Sequence, residues 1–212
     1  MDSTDFDPDC RACPRLATFL DEVKQEHPDY FCRPVPAFGD PEARLLIVGL
    51  APGKHGANAS GRPFTGDYAG VLLYQTLFDY GFSTAPESVD ATDGLQLLNC
   101  RISNAVKCLP PENKPTTGEI NTCNAFLAEE LRQMPEAGVL IALGSIAHNA
   151  VLKAQGLKLS AYKFGHGHEH DLPSGLKLID SYHCSRYNTQ TRRLTEQMFK
   201  DIFVKARFCL DQ

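Results

Sequence analysis

Residues 45–67, LLIVGLAPGKHGANASGRPFTGD, decide how this chain is read. Leu45, Leu46, Ile47 and Val48 form a continuous apolar run, the pattern of a short parallel strand covered on both faces. The run feeds directly into a loop, Gly49 to Asp67, that carries four further glycines together with Lys54, His55, Asn58 and Arg62. Ligands in open α/β sheets bind beyond the carboxyl ends of strands, so this loop is a candidate site on physical grounds alone. A second stretch has the same design: residues 177–195, KLIDSYHCSRYNTQTRRLT, deliver His183 from a strand-like run into a polar, basic loop.

Working outward, two more strands are expected, Ile102–Cys108 and Val139–Leu143, with the last strand over Lys177–Tyr182. Helical spacing marks Leu16–Glu26, the run VLLYQTLFDY ending at Gly81, Ile120–Met134, the stretch SIAHNAVLKAQG stopped by its glycine, and Leu194–Phe208. Cys32–Pro41 reads as an extended lead-in to the first strand, and residues 83–95 as loop. Strands alternating with helices imply a three-layer α/β/α sandwich around a mainly parallel sheet. A length of 212 residues fits one domain, residues 1–212, able to bury a full core.

Hydrophobic content of 42% and charged content of 22% are those of a globular chain in water. No apolar run approaches the roughly 20 residues of a membrane span, so no membrane partner is expected. The opening MDSTDFDPDC is acidic and lacks the basic and apolar regions of a signal peptide, which makes a cytoplasmic protein the expectation. A net charge of −5 argues weakly against nucleic acid. Charge placement argues the other way, because Lys54, Arg62, Lys107, Lys114, Arg186, Arg192 and Arg193 fall in or beside the motif-bearing loops.

Eight cysteines in such a compartment stay reduced, so ligation of a metal or cluster is the live question. Cys10 and Cys13 form a CxxC; Cys108 and Cys123 form a second, wider pair. Four thiolates suit zinc or an iron–sulfur cluster, and spacing alone does not choose between them. GLAPGK, residues 49–54, invites a phosphate-loop reading but fails it: three residues separate the glycines instead of four, and His55 stands where Ser or Thr would hold magnesium. GHGHEH, residues 165–170, has the look of a metal tract, yet solvated or hydrogen-bonded imidazoles on one side of an extended segment are the preferred reading. Asp67 suits a helix N-cap as well as a catalytic carboxylate.

Taken together, GLAPGKHGANASGRPFTGD, ISNAVKCLPPENKPT and HCSRYNTQTRRLT resemble the motifs of the uracil-DNA glycosylase superfamily, nearest to family 5, the type B enzymes. The resemblance runs from Cys10 to about Thr195. It implies a four-stranded parallel sheet and a [4Fe–4S] cluster on Cys10, Cys13, Cys108 and Cys123. It further implies a monofunctional glycosylase of base excision repair acting on DNA that contains uracil or other deaminated bases, working as a monomer near the nucleoid. Alternatives are a glycosylase preferring hypoxanthine or xanthine, and a cluster-bearing nucleic-acid binding module without catalysis. Phe64 would stack on the extruded base, Asn104 would bond its Watson–Crick edge, and the backbone at Leu50 and Ala51 would donate to it. The resemblance sets His183 against the base oxygen where charge develops, and makes Asp67 the carboxylate that orients water, since Leu50 occupies the place where many relatives carry an acid or amide. Lys54, Arg62, Ser185, Arg186, Asn188, Gln190, Arg192 and Arg193 are the expected DNA contacts. Two departures stand out: Cys184 follows the histidine where proline is common, and Arg192 stands where the family usually has glycine.

Overall fold

The structure is a computed structural model and describes residues 6–212; the first five residues of the acidic opening segment lie outside it. Six strands form one sheet: β1 (Phe38–Gly39), β2 (Leu45–Gly49), β3 (Cys100–Asn104), β4 (Val139–Leu143), β5 (Glu169–Asp171) and β6 (Lys177–Ser181). Their spatial order is β1-β3-β2-β4-β6-β5. The central four, β3, β2, β4 and β6, run parallel, and β1 and β5 close the edges antiparallel. The expected four-stranded parallel sheet is therefore the centre of a mixed six-stranded one. Every residue of β2 and β4 is buried, as their unbroken apolar runs require.

The helices are α1 (Pro14–Glu26), α2 (Ala57–Ser60), α3 (Tyr68–Asp79), α4 (Thr117–Arg132), α5 (Ser145–Ala154), α6 (Arg186–Gln190) and α7 (Glu196–Leu210). One face of the sheet packs Leu45, Ile47, Ile102, Ile141 and Ile179 against Leu73 and Leu77 of α3 and Phe199, Ile202 and Phe203 of α7. The other packs Leu46, Val48, Leu140, Ala142 and Leu178 against Leu127 and Leu131 of α4 and Ala150 and Val151 of α5. Each fully buried aliphatic or aromatic side chain contributes about 1.5–3 kcal/mol, so these two layers hold the sheet in place. Helix α4 starts on a full capping box between Thr116 and Glu119. Gly81 and Gly156 follow α3 and α5 with φ of +70° and +68°, a conformation that stops a helix cheaply only at glycine.

The expected strand Ile102–Cys108 ends early, at Asn104. Ala105 and Val106 still donate to the carbonyls of Gly49 and Leu50, but their apolar side chains pack beside α4 and α1 instead of continuing the sheet. Among the described residues, no helix is long and apolar enough to cross a membrane.

Candidate active site

Starting from β2, the chain passes to β3 on one side and to β4 on the other, so the strand order reverses there and leaves a crevice at the carboxyl ends. A pocket of about 390 Å³ lies in it, lined by Leu50, Ala51, Gly53, Ala57 and Phe64 after β2, Asp67 to Ala69 at the start of α3, Asn104 at the end of β3, Asn113, and His183, Ser185 and Arg186 after β6. That size falls in the usual range for small-molecule sites, about 300–1,000 Å³. All six residues expected to act on the base or the bond, Asp67, His183, Leu50, Ala51, Phe64 and Asn104, line this one cavity.

Glycines shape its floor. Gly49 sits beside Asn104 across the β2–β3 pairing, and a Cβ on it would lie 2.4 Å from Asn104 Oδ1 and 2.7 Å from the Phe64 ring. At Gly56 a Cβ would fall 2.6 Å from Asp67 Cβ, and at Gly70 one would lie 1.8 Å from the Phe64 carbonyl oxygen. These glycines let the site side chains pack against backbone. Phe64 itself has φ of +56°, a costly conformation for an aromatic residue, fixed from outside by the Tyr74 hydroxyl on the Pro63 carbonyl at 2.9 Å.

Asp67 is the N-cap of α3 and also lines the pocket. Its Oδ1 caps α3 by accepting from Gly70 N at 2.9 Å, while Oδ2 lies on the Gly53 and Gly56 side. Burial raises its pKa, and the amides of Gly70 and Ala69 pull it back toward the ionised form. His183 stacks near-parallel on Phe64, ring centroids 5.9 Å apart, and burial pushes its pKa down to about 4. It is therefore neutral at physiological pH. Among the described residues, three buried side-chain polar atoms have no partner: Asn58 Oδ1, Asn104 Oδ1 and His183 Nδ1. Two of the three belong to residues lining the pocket.

The sequence model of the Uracil DNA glycosylase superfamily matches residues 36–207. The chain is 48% identical over 203 residues to the type-5 uracil-DNA glycosylase of Thermus thermophilus, covering 93% of this chain and 92% of that one. This chain belongs to the type-5 uracil-DNA glycosylase family. It is also 44% identical to the Mycobacterium leprae member, covering 93% and 90% of the two chains, and 41% identical to that of Pyrobaculum aerophilum, covering 93% and 87%.

The two departures from the family pattern have different consequences. Cys184 is fully buried in the core, its thiol directed at the Ala69 carbonyl and its pKa raised by burial, so it acts as a small apolar residue. Arg192, where the family usually has glycine, holds φ of +57°, a conformation that favours glycine.

The expected DNA contacts divide. Ser185 caps α6, and Arg186, Gln190, Arg192 and Arg193 are exposed around it. The Arg186 guanidinium lies 4.9 Å over the Tyr68 ring and that of Arg193 lies 4.6 Å over Tyr182. Asn188 turns inward, its Nδ2 donating to the His183 carbonyl at 2.8 Å, so it holds the loop instead of reaching outward. Lys54 pairs with Glu26 of α1 at 2.6 Å and does not line the pocket. Arg62 is a correction. It is buried, with Nη1 donating to Asp93 and Ser88 and Nη2 to the Ala91 carbonyl, which leaves the guanidinium without a route to phosphate. Lys107 is buried too, bonded to Glu130 and Ser103, and adds nothing to the basic surface.

Sequence reasoning passed over Tyr187, which is 71% exposed at the tip of α6 beside the pocket-lining Arg186. A lone aromatic in a polar, basic loop was the available signal. It also passed over Tyr68 and Asn113.

The four cysteines lie round a separate cavity of about 150 Å³ between α1, the 106–108 segment and α4. Burial, then the neighbouring Cys123, Cys10 and Cys13, push the Cys108 thiol up to about 12. Burial lifts Cys123 to about 11 against the Lys107 amide, which donates to its sulfur at 3.3 Å. Thiols that raise one another in this way are stabilised as thiolates by a shared cation. Among the described residues, no three of these sulfurs lie within 4.8 Å of one another.

Proposed function

We propose that this chain hydrolyses the N-glycosidic bond of uracil in DNA and leaves an abasic site, as a base-excision-repair glycosylase. One observation carries the reading: Asp67, Asn104 and His183, from three separate elements, meet in one pocket where two buried polar atoms wait for partners. An unpaired buried polar atom costs about 1–3 kcal/mol, and a bound base can return that cost.

Uracil fits the vacancy by pattern. Its N3–H donates to an amide oxygen such as Asn104 Oδ1, and the neighbouring carbonyl accepts from the amide nitrogen. Hypoxanthine and xanthine present the same carbonyl and N–H pair, which supports a second activity on other deaminated bases. Phe64 offers its ring face to the extruded base, and Leu50 and Ala51 offer backbone beside it. As the bond breaks, negative charge grows on the base and positive charge on the sugar. Neutral His183 stabilises the first by hydrogen-bond donation, worth roughly 3 kcal/mol for one preorganised donor. Asp67 stabilises the second and orients water through Oδ2. No lysine lines the pocket, so no Schiff base forms and the strand is left uncut.

Tyr187 fills the gap left by the base, while Arg186, Gln190, Arg192 and Arg193 grip phosphates around it. The pocket and the basic loop are complete within one chain, so the chemistry needs no second subunit in this reading. Cys10, Cys13, Cys108 and Cys123 hold a [4Fe–4S] cluster in this reading. Four thiolates suit zinc as well as a cluster, and it is the resemblance to the family that favours the cluster. Bound there, a cluster would tie the start of α1, through Cys10 and Cys13, to Cys108 after β3 and to Cys123 within α4.

The test is base release from a duplex with one uracil opposite guanine, with alkali added afterwards to cut abasic sites. Product seen only after alkali, and lost in Asp67→Asn with fold and brown colour intact, is the expected result. Intact protein that binds this DNA but releases neither uracil, hypoxanthine nor xanthine would leave only a binding module.

A further inference from the structure

We propose that His148, His170 and Asp180 form a binding site for one divalent transition cation of the zinc class, separate from both the base pocket and the cysteine cavity. His148 comes from α5, His170 from the edge strand β5 and Asp180 from β6, and none of them lines either cavity. Their ligand atoms all lie within 4.8 Å of one another, the one such group among the described residues.

Two spacings match a coordination sphere. His148 Nδ1 is 2.7 Å from Asp180 Oδ1, and His170 Nε2 is 3.1 Å from Asp180 Oδ2. Ligands on a tetrahedral zinc ion sit ~3.3 Å apart, so these two spacings are already close to it, and the two imidazole nitrogens would close on the ion from a separation within 4.8 Å. Supporting bonds of the kind that orient metal ligands are already present. His148 Nε2 faces the Tyr162 carbonyl at 3.0 Å, and donation there leaves a lone pair on Nδ1. Gly165 N donates to Asp180 Oδ2 at 3.2 Å and fixes the carboxylate.

The same geometry says that something cationic belongs between these groups. With Nε2–H on the Tyr162 carbonyl, a neutral His148 turns its Nδ1 lone pair on a carboxylate oxygen. Either a second proton or a metal ion must bridge them. A second proton on His148 would bridge it to Oδ1 while a neutral His170 donates to Oδ2, whereas one metal ion would draw on both imidazoles and the carboxylate between them. His148 and Asp180 are fully buried, while His170 keeps 13% of its side chain exposed and provides the way in.

The probe is Co²⁺ titrated into the full chain, followed by absorption spectroscopy and melting temperature. One equivalent should bind with the weak d–d bands of nitrogen and oxygen ligation, without a sulfur-to-cobalt charge-transfer band, and should raise Tm. His170→Ala, at the sheet edge where the fold tolerates it, should weaken binding by about tenfold or more. His148→Gln should do the same, and Cys10→Ser should leave the signal intact. Binding that keeps its strength in both histidine variants would overturn the proposal. So would a sulfur band that vanishes in Cys10→Ser, or no Co²⁺-dependent change at all, in which case a proton is the bridge.

Discussion

Arg62 and His183 stand in the two loops that carry the chain's densest chemistry, and their surroundings are opposite. The Arg62 guanidinium is paired: Asp93, Ser88 and the Ala91 carbonyl accept from its two Nη groups, and Phe38 lies 4.4 Å beneath. Partial burial works against ionisation of Asp93, yet Arg62 and the amides of Leu95 and Val89 hold its pKa down at about 2. His183 has an Nδ1 that is buried with no partner, and burial moves its pKa away from the charged form. A paired buried charge belongs to the framework. An unpaired buried polar atom beside a cavity is stability given up for a ligand. Type and sequence position do not separate the two; partners do.

The sharpest way to break this contrast is to remove one group from each set. Arg62→Ala leaves Asp93 without its partner and should destabilise the fold by about 3–5 kcal/mol in urea melts. Turnover of the remaining folded protein and the salt dependence of DNA binding should hardly change. If instead stability held and the salt slope fell, Arg62 would be a phosphate contact after all. His183→Ala and Asn104→Ala should invert the result: thermal stability within about 1 kcal/mol of the parent, and single-turnover base release down about a hundredfold, roughly 3 kcal/mol each.

Acid should separate the sets again. The pKa of His183 is about 4 when folded against an ordinary 6.5, so the unfolded chain takes up the extra proton first. Its contribution is complete above pH 6.5 and is lost as pH falls through about 4. His183→Ala should therefore flatten the stability profile in that window, and an unchanged profile would mean the imidazole is not buried neutral.

The central sheet was legible because β2 and β4 are short apolar runs with no helical period and β6 carries Leu178 and Ile179 in a short segment ahead of a polar loop. The edge strands were not. β1 is two residues long, and β5, Glu169–Asp171, is polar and half exposed, so no hydrophobic pattern announces either. The ends of the strands were legible too, and with them Asn104 and His183, since topology sends whatever follows a strand to the same rim. Arg62 was misread because its partner Asp93 lies 31 residues away in a segment with no pattern of its own. The GHGHEH tract was only half readable for the same reason. Its histidines do not share one side: His166 accepts from Tyr182 N, His168 faces the Lys163 carbonyl, and His170 turns to Asp180. His148, from another element, completes the group.

The exposed loop after His183 tests the contrast where energies are smallest. Arg186 and Arg193 lie over aromatic rings at the surface, so Arg186→Ala and Arg193→Ala should each reduce the log–log salt slope of DNA affinity by about 1. Arg192 differs from both because its backbone bears a cost that its charge does not require. At φ of +57° a residue with a Cβ is strained, and glycine is not. Arg192→Gly should raise stability by about 0.5–1 kcal/mol while weakening DNA binding in a salt-dependent way. A gain in stability with no loss of binding would mean the arginine does nothing for DNA. Loss of binding without a gain in stability would mean the loop relaxes around the side chain, so that the left-handed turn costs the protein little.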